Sequence, residues 1–291
     1  MAKVFFVTGS SRGLGRDIVE AALAAGHQVL ATARNPESLA DLSARYGEHI
    51  RPVALDVTDF TAAQAAVNTA INVFGHIDVV VNNAGYANLV TIEDIDLADF
   101  RQQLDTNLMG VVNVTKAALP VLREQGFGRF IQISSVGGRV ASAGLSAYQA
   151  AKWAVGGFSE VLAQEVTPFG IKVTVLEPGG MRTDWGGLSM TIPPMSAPYQ
   201  ATLGPMLSTL RSPDHKPAGD PEKVAQVVLQ VADMAEPPLR LLVGSDAYRY
   251  GTSAWQARLE SDARWRDLSV STDHDDATAA ELDPLGTLTN V

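Results

Sequence analysis

Residues 4–15 read Val-Phe-Phe-Val-Thr-Gly-Ser-Ser-Arg-Gly-Leu-Gly and join a short apolar run to the start of a helical pattern. The Val and Phe run is typical of a strand buried on both faces. The glycines, spaced G-x-x-x-G-x-G, allow a tight turn and the close approach of a pyrophosphate. The N–H groups that open the next helix attract an anion. This pattern favours a nucleotide-binding α/β fold; the alternative is a glycine-rich turn that only joins strand to helix.

Strand-like and helix-like stretches alternate along the rest of the chain. The predicted strands are Lys3–Val7, Gln28–Ala33, Arg51–Leu55, Ile77–Val81, Phe130–Ile133, Val173–Leu176 and Leu239–Val243. The predicted helices are Gly13–Ala25, Pro36–Tyr46, Thr61–Phe74, Leu97–Gln125 with an interruption at Pro120, Ala147–Val166 and Pro221–Met234. Such alternation predicts a doubly wound, Rossmann-like parallel sheet with helices on both faces. The expected binding crevice lies at the carboxyl ends of its strands.

The domain organisation is predicted from composition. We expect one catalytic domain over residues 1–250, followed by a C-terminal helix and acidic tail over 251–291. Residues 185–217 are rich in Met, Ser, Thr and Pro without a clean period, and form either a mobile lid or a long surface loop. The apolar residues of this segment either make an adaptable substrate wall or pack it onto the core. They are Trp185, Met190, Met195, Met206 and Leu207.

Charge and composition exclude several classes of function. The 291 residues carry a formal net charge of −10, which disfavours nucleic acid as a partner. The absence of cysteine excludes disulfides, thiolate metal sites and cysteine nucleophiles, and fits a reducing cytosol. The five histidines are scattered without ligand-like spacing, so no metal is expected. Neither a signal peptide nor a bilayer-spanning apolar run is visible, and we expect a soluble cytoplasmic protein.

The end of the second predicted strand bears on cofactor choice. An NAD site usually has an acidic residue there that binds the ribose hydroxyls. Here the chain reads Thr32-Ala33-Arg34, and the acidic residue is replaced by a guanidinium. Arg34 and Arg12 together suit a 2′-phosphate because their donors match phosphate oxygens. We therefore predict NADP(H) over NAD(H); the alternative is that both arginines are ordinary surface charges.

Tyr148 and Lys152 stand four residues apart near the start of a predicted helix, which places both side chains on one face. A free tyrosine titrates near pH ~10 and is a poor base at neutral pH. A nearby ammonium favours the phenolate and is expected to lower the pKa of Tyr148. The pair would then exchange a proton with an alcohol near neutral pH. The Y-x-x-x-K spacing alone also occurs by chance on amphipathic helices.

Two polar residues precede this pair. Ser135 ends the fifth predicted strand, where a hydroxyl either holds a reacting oxygen or caps a turn. Asn107 lies within a predicted helix although Asn is a weak helix former. A buried polar role and a solvent-facing position both fit its spacing.

Taken in chain order, these pieces resemble a short-chain dehydrogenase/reductase of the single-domain Rossmann type, over about residues 3–250. Each motif is weak or moderate alone, and their order makes the resemblance specific. After the glycine motif, the matching pieces are Asp56-Val57, Asn82-Asn83-Ala84-Gly85, Asn107, Ser135, Tyr148 with Lys152, and Pro178-Gly179 with Thr183.

The resemblance implies hydride transfer between a nicotinamide and a carbonyl or secondary alcohol, with Tyr148 as general acid or base. It further implies that Ser135 orients the reacting oxygen, that Lys152 binds the nicotinamide ribose, and that Asn107 supports a water-linked proton path. With the loop residues and Arg34 argued above, the expected cofactor contacts are Gly9, Ser11, Arg12, Gly13, Leu14, Gly15, Arg34, Asp56, Val57, Asn83, Ala84, Gly85, Tyr148, Lys152, Pro178, Gly179 and Thr183.

The expected partners are a small-molecule carbonyl or alcohol and, by the same resemblance, further copies of the chain in a homodimer or homotetramer. Two other functions stay open. A catalytically silent NADP(H)-binding sensor or scaffold would typically lack one catalytic group. A nucleotide-sugar epimerase or dehydratase shares the Tyr/Lys spacing, but its usual G-x-x-G-x-x-G pattern differs from the glycine spacing here.

Overall fold

The fold is built on one parallel sheet. The computed structural model describes residues 2–183, 190–212, 214 and 216–284. The strands are β1 (Val4–Val7), β2 (Gln28–Ala33), β3 (Ile50–Ala54), β4 (Val79–Asn82), β5 (Gly128–Ile133), β6 (Ile171–Pro178) and β7 (Arg240–Val243). All pairings are parallel, in the order β3-β2-β1-β4-β5-β6-β7. The predicted doubly wound fold is confirmed.

Helices between the strands cover both faces of this sheet, and further helices follow β7 in the chain. They are α1 (Gly13–Ala24), α2 (Ala40–Tyr46), α3 (Phe60–Phe74), α4 (Leu97–Leu104), α5 (Gly110–Gln125), α6 (Ser146–Val166), α7 (Gln200–Arg211), α8 (Pro221–Asp233), α9 (Ser245–Arg264), α10 (Arg266–Val270) and α11 (Ala279–Leu282). The chain divides into two compact units, the first ending at Gly251 and the second starting at Thr252. None of the described helices combines the length and apolar character that crossing a bilayer requires.

The apolar run of β1 is continuous because both of its faces are buried. Successive strand side chains point to opposite faces. Phe5 packs in the same core as Ile18 of α1, whereas Phe6 packs with Val67 of α3 and Val114 of α5 in the core on the other face. Both phenylalanines are fully buried, so the strand shows no polar alternation.

The helical region over Leu97–Gln125 is interrupted, but the prediction that Pro120 interrupts it is wrong. One π-helical turn, Asp105–Met109, separates α4 from α5, and Pro120 lies inside α5 without ending it. The side-chain amide of Asn107 explains the position of the turn. Its Nδ2 donates to the Gln103 carbonyl at 2.8 Å, and that carbonyl is the acceptor an α-helix would offer to the backbone N–H of Asn107.

The described part of residues 185–217, the segment without a clean sequence period, contains regular structure. A short 3₁₀ turn over Ala197–Tyr199 leads into α7, which the sequence pattern does not predict. Leu203 and Leu207 are the buried residues of α7, and Met190 is buried upstream of it. Trp185 lies outside the described residues.

Candidate active site

A cavity of about 830 Å³ opens at the carboxyl ends of the strands, the position expected for a doubly wound sheet. It brings together nearly all of the predicted site residues. Those that line it are Gly9, Ser11, Arg12, Gly13, Leu14, Gly15, Arg34, Asp56, Val57, Asn83, Ala84, Gly85, Ser135, Tyr148, Lys152, Pro178, Gly179 and Thr183. Asn107 is the exception: it does not line the cavity, but its side chain hydrogen-bonds the backbone of Tyr86, which does.

The glycine loop after β1 leaves room for a ligand on one side and is tightly held on the other. Gly9 has a φ of +68°, a left-handed conformation that favours glycine. A Cβ on Gly15 would overlap both the Gly9 carbonyl oxygen and the Asn83 amide. The Asn83 amide in turn donates to the Thr8 carbonyl at 3.0 Å. The loop and the free N–H groups that begin α1 therefore fit the pyrophosphate of a dinucleotide.

One end of the cavity combines one carboxylate, Asp56, with two arginines, Arg12 and Arg34. Asp56 accepts hydrogen bonds from the backbone and hydroxyl of Thr58 at 3.0 and 2.8 Å, and the backbone bond is the main reason that its pKa is lowered. Arg12 and Arg34 are exposed at the cavity edge. Within the described residues, neither guanidinium forms an ion pair. Their donors are thus available to an anion.

Tyr148, Ser135 and Lys152 meet where α6 passes the end of β5. Ser135 hydrogen-bonds Tyr148 and accepts from the Gly137 N–H at 3.0 Å, so the hydroxyl also caps a turn. The Lys152 Nζ donates to the Ile133 carbonyl at 2.8 Å and lies 5.6 Å from the centre of the Tyr148 ring. Three polar groups therefore converge on one wall of the cavity.

The electrostatics of this group differ from the prediction. Burial raises the pKa of Tyr148 to about 12, and the hydrogen bond from Ser135 opposes that rise only in part. Burial also lowers the pKa of Lys152 to about 8. The expectation that the ammonium would lower the pKa of Tyr148 is therefore wrong for this structure, because desolvation of the phenolate is the largest cause of the shift. Tyr148 is held as a phenol at neutral pH.

The pKa of Lys152 predicts a pH-dependent stability. Its pKa is about 8 in the folded chain against a reference of 10.5, so between these values the unfolded chain binds the proton that the folded chain lacks. Stability rises with pH in that window, by at most ~1.4 kcal/mol per pH unit from one group. We expect wild type to gain unfolding free energy over Lys152→Met between about pH 8 and about pH 9.5, measured by urea titration. A difference that is constant with pH would contradict this.

Asn107 is fully buried, which decides between the two positions its spacing allowed. Its amide donates to the Tyr86 carbonyl at 2.9 Å and accepts from the Tyr86 N–H at 3.0 Å. A Cβ on Gly85 would lie 2.5 Å from the Asn107 Oδ1 and 3.6 Å from the Lys152 Nζ. Glycine at position 85 is therefore what lets the loop after β4 lie between these two side chains.

An apolar cluster adjoins the phenol. Tyr148 packs with Ala87 and Leu89 from the loop after β4, and with Met190, Leu203 and Leu207 from the segment around α7. Met195 and Met206 are partly buried against this cluster. The described apolar residues of that segment therefore pack onto the core beside Tyr148 and are absent from the cavity lining, which favours the packing alternative over the substrate wall.

The chain after β6 returns to the glycine loop. A Cβ on Gly13 would lie 3.8 Å from the Cβ of Thr183, which places Thr183 beside that loop. The Gly180 N–H donates to Asp246 of α9 at 2.8 Å, and a Cβ on Gly179 would overlap the same carboxylate. Asp246 therefore holds the Pro178-Gly179 segment at the cavity wall.

The sequence reasoning missed other residues that line the cavity. They are Tyr86, Asn88, Gln102, Asp105, Thr106, Val136, Val140, Ser142, Leu145, Gln149, Gly180, Met181 and Thr191, with Ala33, Leu55, Thr58, Ile133, Ser134 and Gly137 adjoining predicted positions. Gln149 carried a usable signal, since it directly follows Tyr148 and is polar on a helix that is otherwise largely apolar on that side. Gln102 lies on α4, Asp105 and Thr106 lie in the π-helical turn, and the rest lie in loops or at strand ends; their spacing carries no such signal.

Comparison with known proteins identifies the lineage. A family model described as short chain dehydrogenase matches residues 3–189. The chain belongs to the short-chain dehydrogenase family. It is 56% identical over 272 residues to Oxidoreductase BOA17 of Botryotinia fuckeliana, an alignment that covers 93% of this chain and 99% of the relative. The predicted family and the prediction of an enzyme acting on CH–OH groups are confirmed.

Solved structures of the same family superpose on this one. A short-chain dehydrogenase from Streptomyces avermitilis has a TM-score of 0.87 at 37% identity, covering 94% of this chain and all of that one. A short-chain dehydrogenase from Burkholderia cenocepacia, solved in complex with NADP, has a TM-score of 0.72 at 25% identity, covering 90% of this chain and 97% of that one. Over the aligned residues, this short-chain dehydrogenase therefore has the same fold as these two solved structures.

Proposed function

We propose that this short-chain dehydrogenase is an NADP(H)-dependent oxidoreductase that moves a hydride between nicotinamide and a carbonyl or secondary alcohol, with Tyr148 as general acid or base. The observation that carries the proposal is a buried phenol, hydrogen-bonded to Ser135, in the same cavity as a glycine cradle with two arginines at its edge. The residues proposed to bind the hydride-carrying cofactor and the proposed proton donor thus line one cavity.

The bound nicotinamide supplies the hydride, and the chain supplies binding, orientation and the proton. The glycine loop and α1 hold the pyrophosphate, while Asp56 and Val57 contact the adenine. Ser135 holds the reacting oxygen beside the Tyr148 hydroxyl. Because Tyr148 is a phenol at neutral pH, it is ready to donate its proton to a carbonyl oxygen that gains negative charge.

Lys152 and Asn107 act around the phenol. Lys152 binds the nicotinamide ribose and stabilises the phenolate that proton donation leaves behind. Asn107 fixes the loop at Tyr86 and, through water, supports proton return by way of Lys152. Pro178, Gly179 and Thr183 flank the nicotinamide.

The preference for NADP(H) rests on charge. The second strand ends in Ala33 and is followed by Arg34, where an NAD site usually has an acidic residue. Arg12 lies on the other loop at the same cavity edge, and both side chains are exposed there. Two guanidiniums suit a 2′-phosphate, and unlike a carboxylate they cannot accept the hydrogen bonds that two ribose hydroxyls donate.

Replacing Arg34 by Ala tests this preference. We expect the Kd for NADPH to rise about tenfold, because one charge-assisted phosphate contact is lost at an exposed site, while the Kd for NADH changes less than about twofold. Titration of cofactor fluorescence measures both constants. Arg51→Ala removes an exposed arginine outside the cavity and serves as control. Equal or better binding of NADH by the wild type would overturn the preference.

The activity itself is tested by NADPH oxidation across a panel of ketones and by NADP⁺ reduction across the matching alcohols. We expect turnover of at least one ketone. NADPH binding without turnover of any ketone or alcohol would favour the sensor or scaffold.

Other predictions from the sequence belong to the same proposal. We propose a cytoplasmic homodimer or homotetramer with one catalytic domain over residues 1–250 and a substrate lid at about 185–217, followed by the C-terminal helix and acidic tail.

A further inference from the structure

Gln149 follows the proposed proton donor on α6 and lines the same cavity. It is only 7% exposed. A buried primary amide carries one acceptor oxygen and two N–H donors that need partners. Its Oε1 accepts a hydrogen bond from the Ser142 N–H at 2.8 Å. The proposed mechanism leaves this side chain without a role.

The Ser142 contact decides which way the amide faces. A backbone N–H is a donor and can only meet the oxygen of the side-chain amide, so Nε2 faces the other way. Among the residues that the structure describes, Nε2 has no hydrogen-bond partner. Nε2 is not among the described side-chain atoms that are sealed from solvent without a partner, so its two N–H donors can reach a ligand in the cavity.

The free donor lies close to the residue proposed to orient the reacting oxygen. A Cβ built on Gly137 would lie 3.2 Å from the Gln149 Nε2 and 3.3 Å from the Ser135 Oγ. Both polar atoms therefore lie close beside Gly137, which lines the same cavity. An oxygen bound by Ser135 and another bound by Gln149 would belong to the same small part of one substrate.

We propose that the Gln149 Nε2 binds a second oxygen of the substrate, and that the substrate class is a keto ester or diketone with that oxygen one or two carbons from the reacting carbonyl. This inference rests on the proposed function, because it needs Ser135 to hold the reacting oxygen. The donor is a neutral amide, and no Lys or Arg occurs between Arg182 and Arg211, so a neutral oxygen fits better than a carboxylate. Val136, Val140 and Leu145 line the same cavity, and their apolar side chains suit the rest of the molecule.

Two substrates of matched size distinguish the effect of the second oxygen from the effects of chain length and of the reacting ketone. Ethyl 3-oxobutanoate and 2-heptanone are methyl ketones of equal chain length, and only the first has an ester carbonyl. The quantity measured is the ratio of their kcat/KM values with NADPH. Comparing this ratio between variants cancels the intrinsic reactivity of the ester.

Gln149→Glu is the decisive variant, because it keeps an oxygen for the Ser142 N–H and removes the amide donor. We expect the ratio to fall about tenfold, the usual effect of one lost hydrogen bond. Gln149→Met, which loses both contacts, should lower the ratio similarly. Gln200→Glu, on the partly exposed start of α7, is the control for added charge and should leave the ratio unchanged.

One result would overturn the inference alone: an unchanged ratio in Gln149→Glu, whether both substrates keep their turnover or lose it equally, and an equal loss would mean a structural role. A wild type that turns over neither these nor any other ketone or alcohol would instead remove the proposed function, and this inference with it.

Discussion

Tyr148→Phe is expected to lower kcat by about 100- to 10,000-fold, the usual effect of losing a general acid or base. The hydroxyl is the proton source at the reacting oxygen, and burial holds it protonated with a pKa of about 12. Phe keeps the ring that packs against Ala87 and Leu89, so the Kd for NADPH should stay within about threefold of wild type. Steady-state NADPH oxidation and cofactor titration measure the two quantities.

The control for this variant is Tyr199→Phe. The Tyr199 hydroxyl bonds Glu93 at 2.7 Å and lies outside the cavity lining, so its removal should leave kcat unchanged. Near-normal turnover in Tyr148→Phe would contradict the assigned proton donor. Loss of NADPH binding together with turnover would point to a structural role for the phenol.

Glu177→Ala is expected to lower the free energy of unfolding by about 3–5 kcal/mol, because it removes one member of a buried ionic network. The side chain of Glu177 is fully buried near the end of β6 and pairs with both Arg139 and Arg240. Those arginine side chains are only 15% and 17% exposed, so removing Glu177 takes the buried carboxylate away from two largely buried positive charges. Urea unfolding at neutral pH measures the loss.

Glu160→Ala is the matched control. Glu160 pairs with Arg240 at 2.8 Å from a position that is 45% exposed, and its removal should cost less than about 1 kcal/mol. Equal losses in the two variants would contradict the claim that burial makes the Glu177 network different. Because Glu177 directly precedes Pro178-Gly179, a destabilised Glu177→Ala should also bind NADPH more weakly.

Short-range sequence patterns were enough to predict most of the fold and most of the predicted residues that line the cavity. Runs such as Val4–Val7 predict buried strands because a parallel sheet covered on both faces leaves no strand face for polar residues. The glycine loop, Ser135 and Tyr148 then follow from strand order, because the carboxyl ends of parallel strands meet at one edge. Pro120 shows the limit of local rules, since the surrounding helix overrides its helix-breaking tendency.

The finer properties of the site depend on residues that are distant in the sequence. Asn107 was ambiguous because only the fold shows that it faces the loop at Tyr86. The orientation of Gln149 depends on one backbone N–H that the spacing of side chains does not report. Glu177 pairs with Arg139 and Arg240, which are 38 and 63 residues away in the sequence, and no local pattern connects such positions.

The sequence by itself determined the family, the sheet and the edge of the sheet where chemistry occurs, because these follow from residue order and short-range periodicity. Only the tertiary structure decided the protonation state of Tyr148, the residue proposed to carry out that chemistry. The pKa of Tyr148 rises because distant segments, among them the one around α7, exclude water from the phenol. Desolvation is a property of everything that surrounds a group, and a four-residue spacing between Tyr148 and Lys152 contains none of that information.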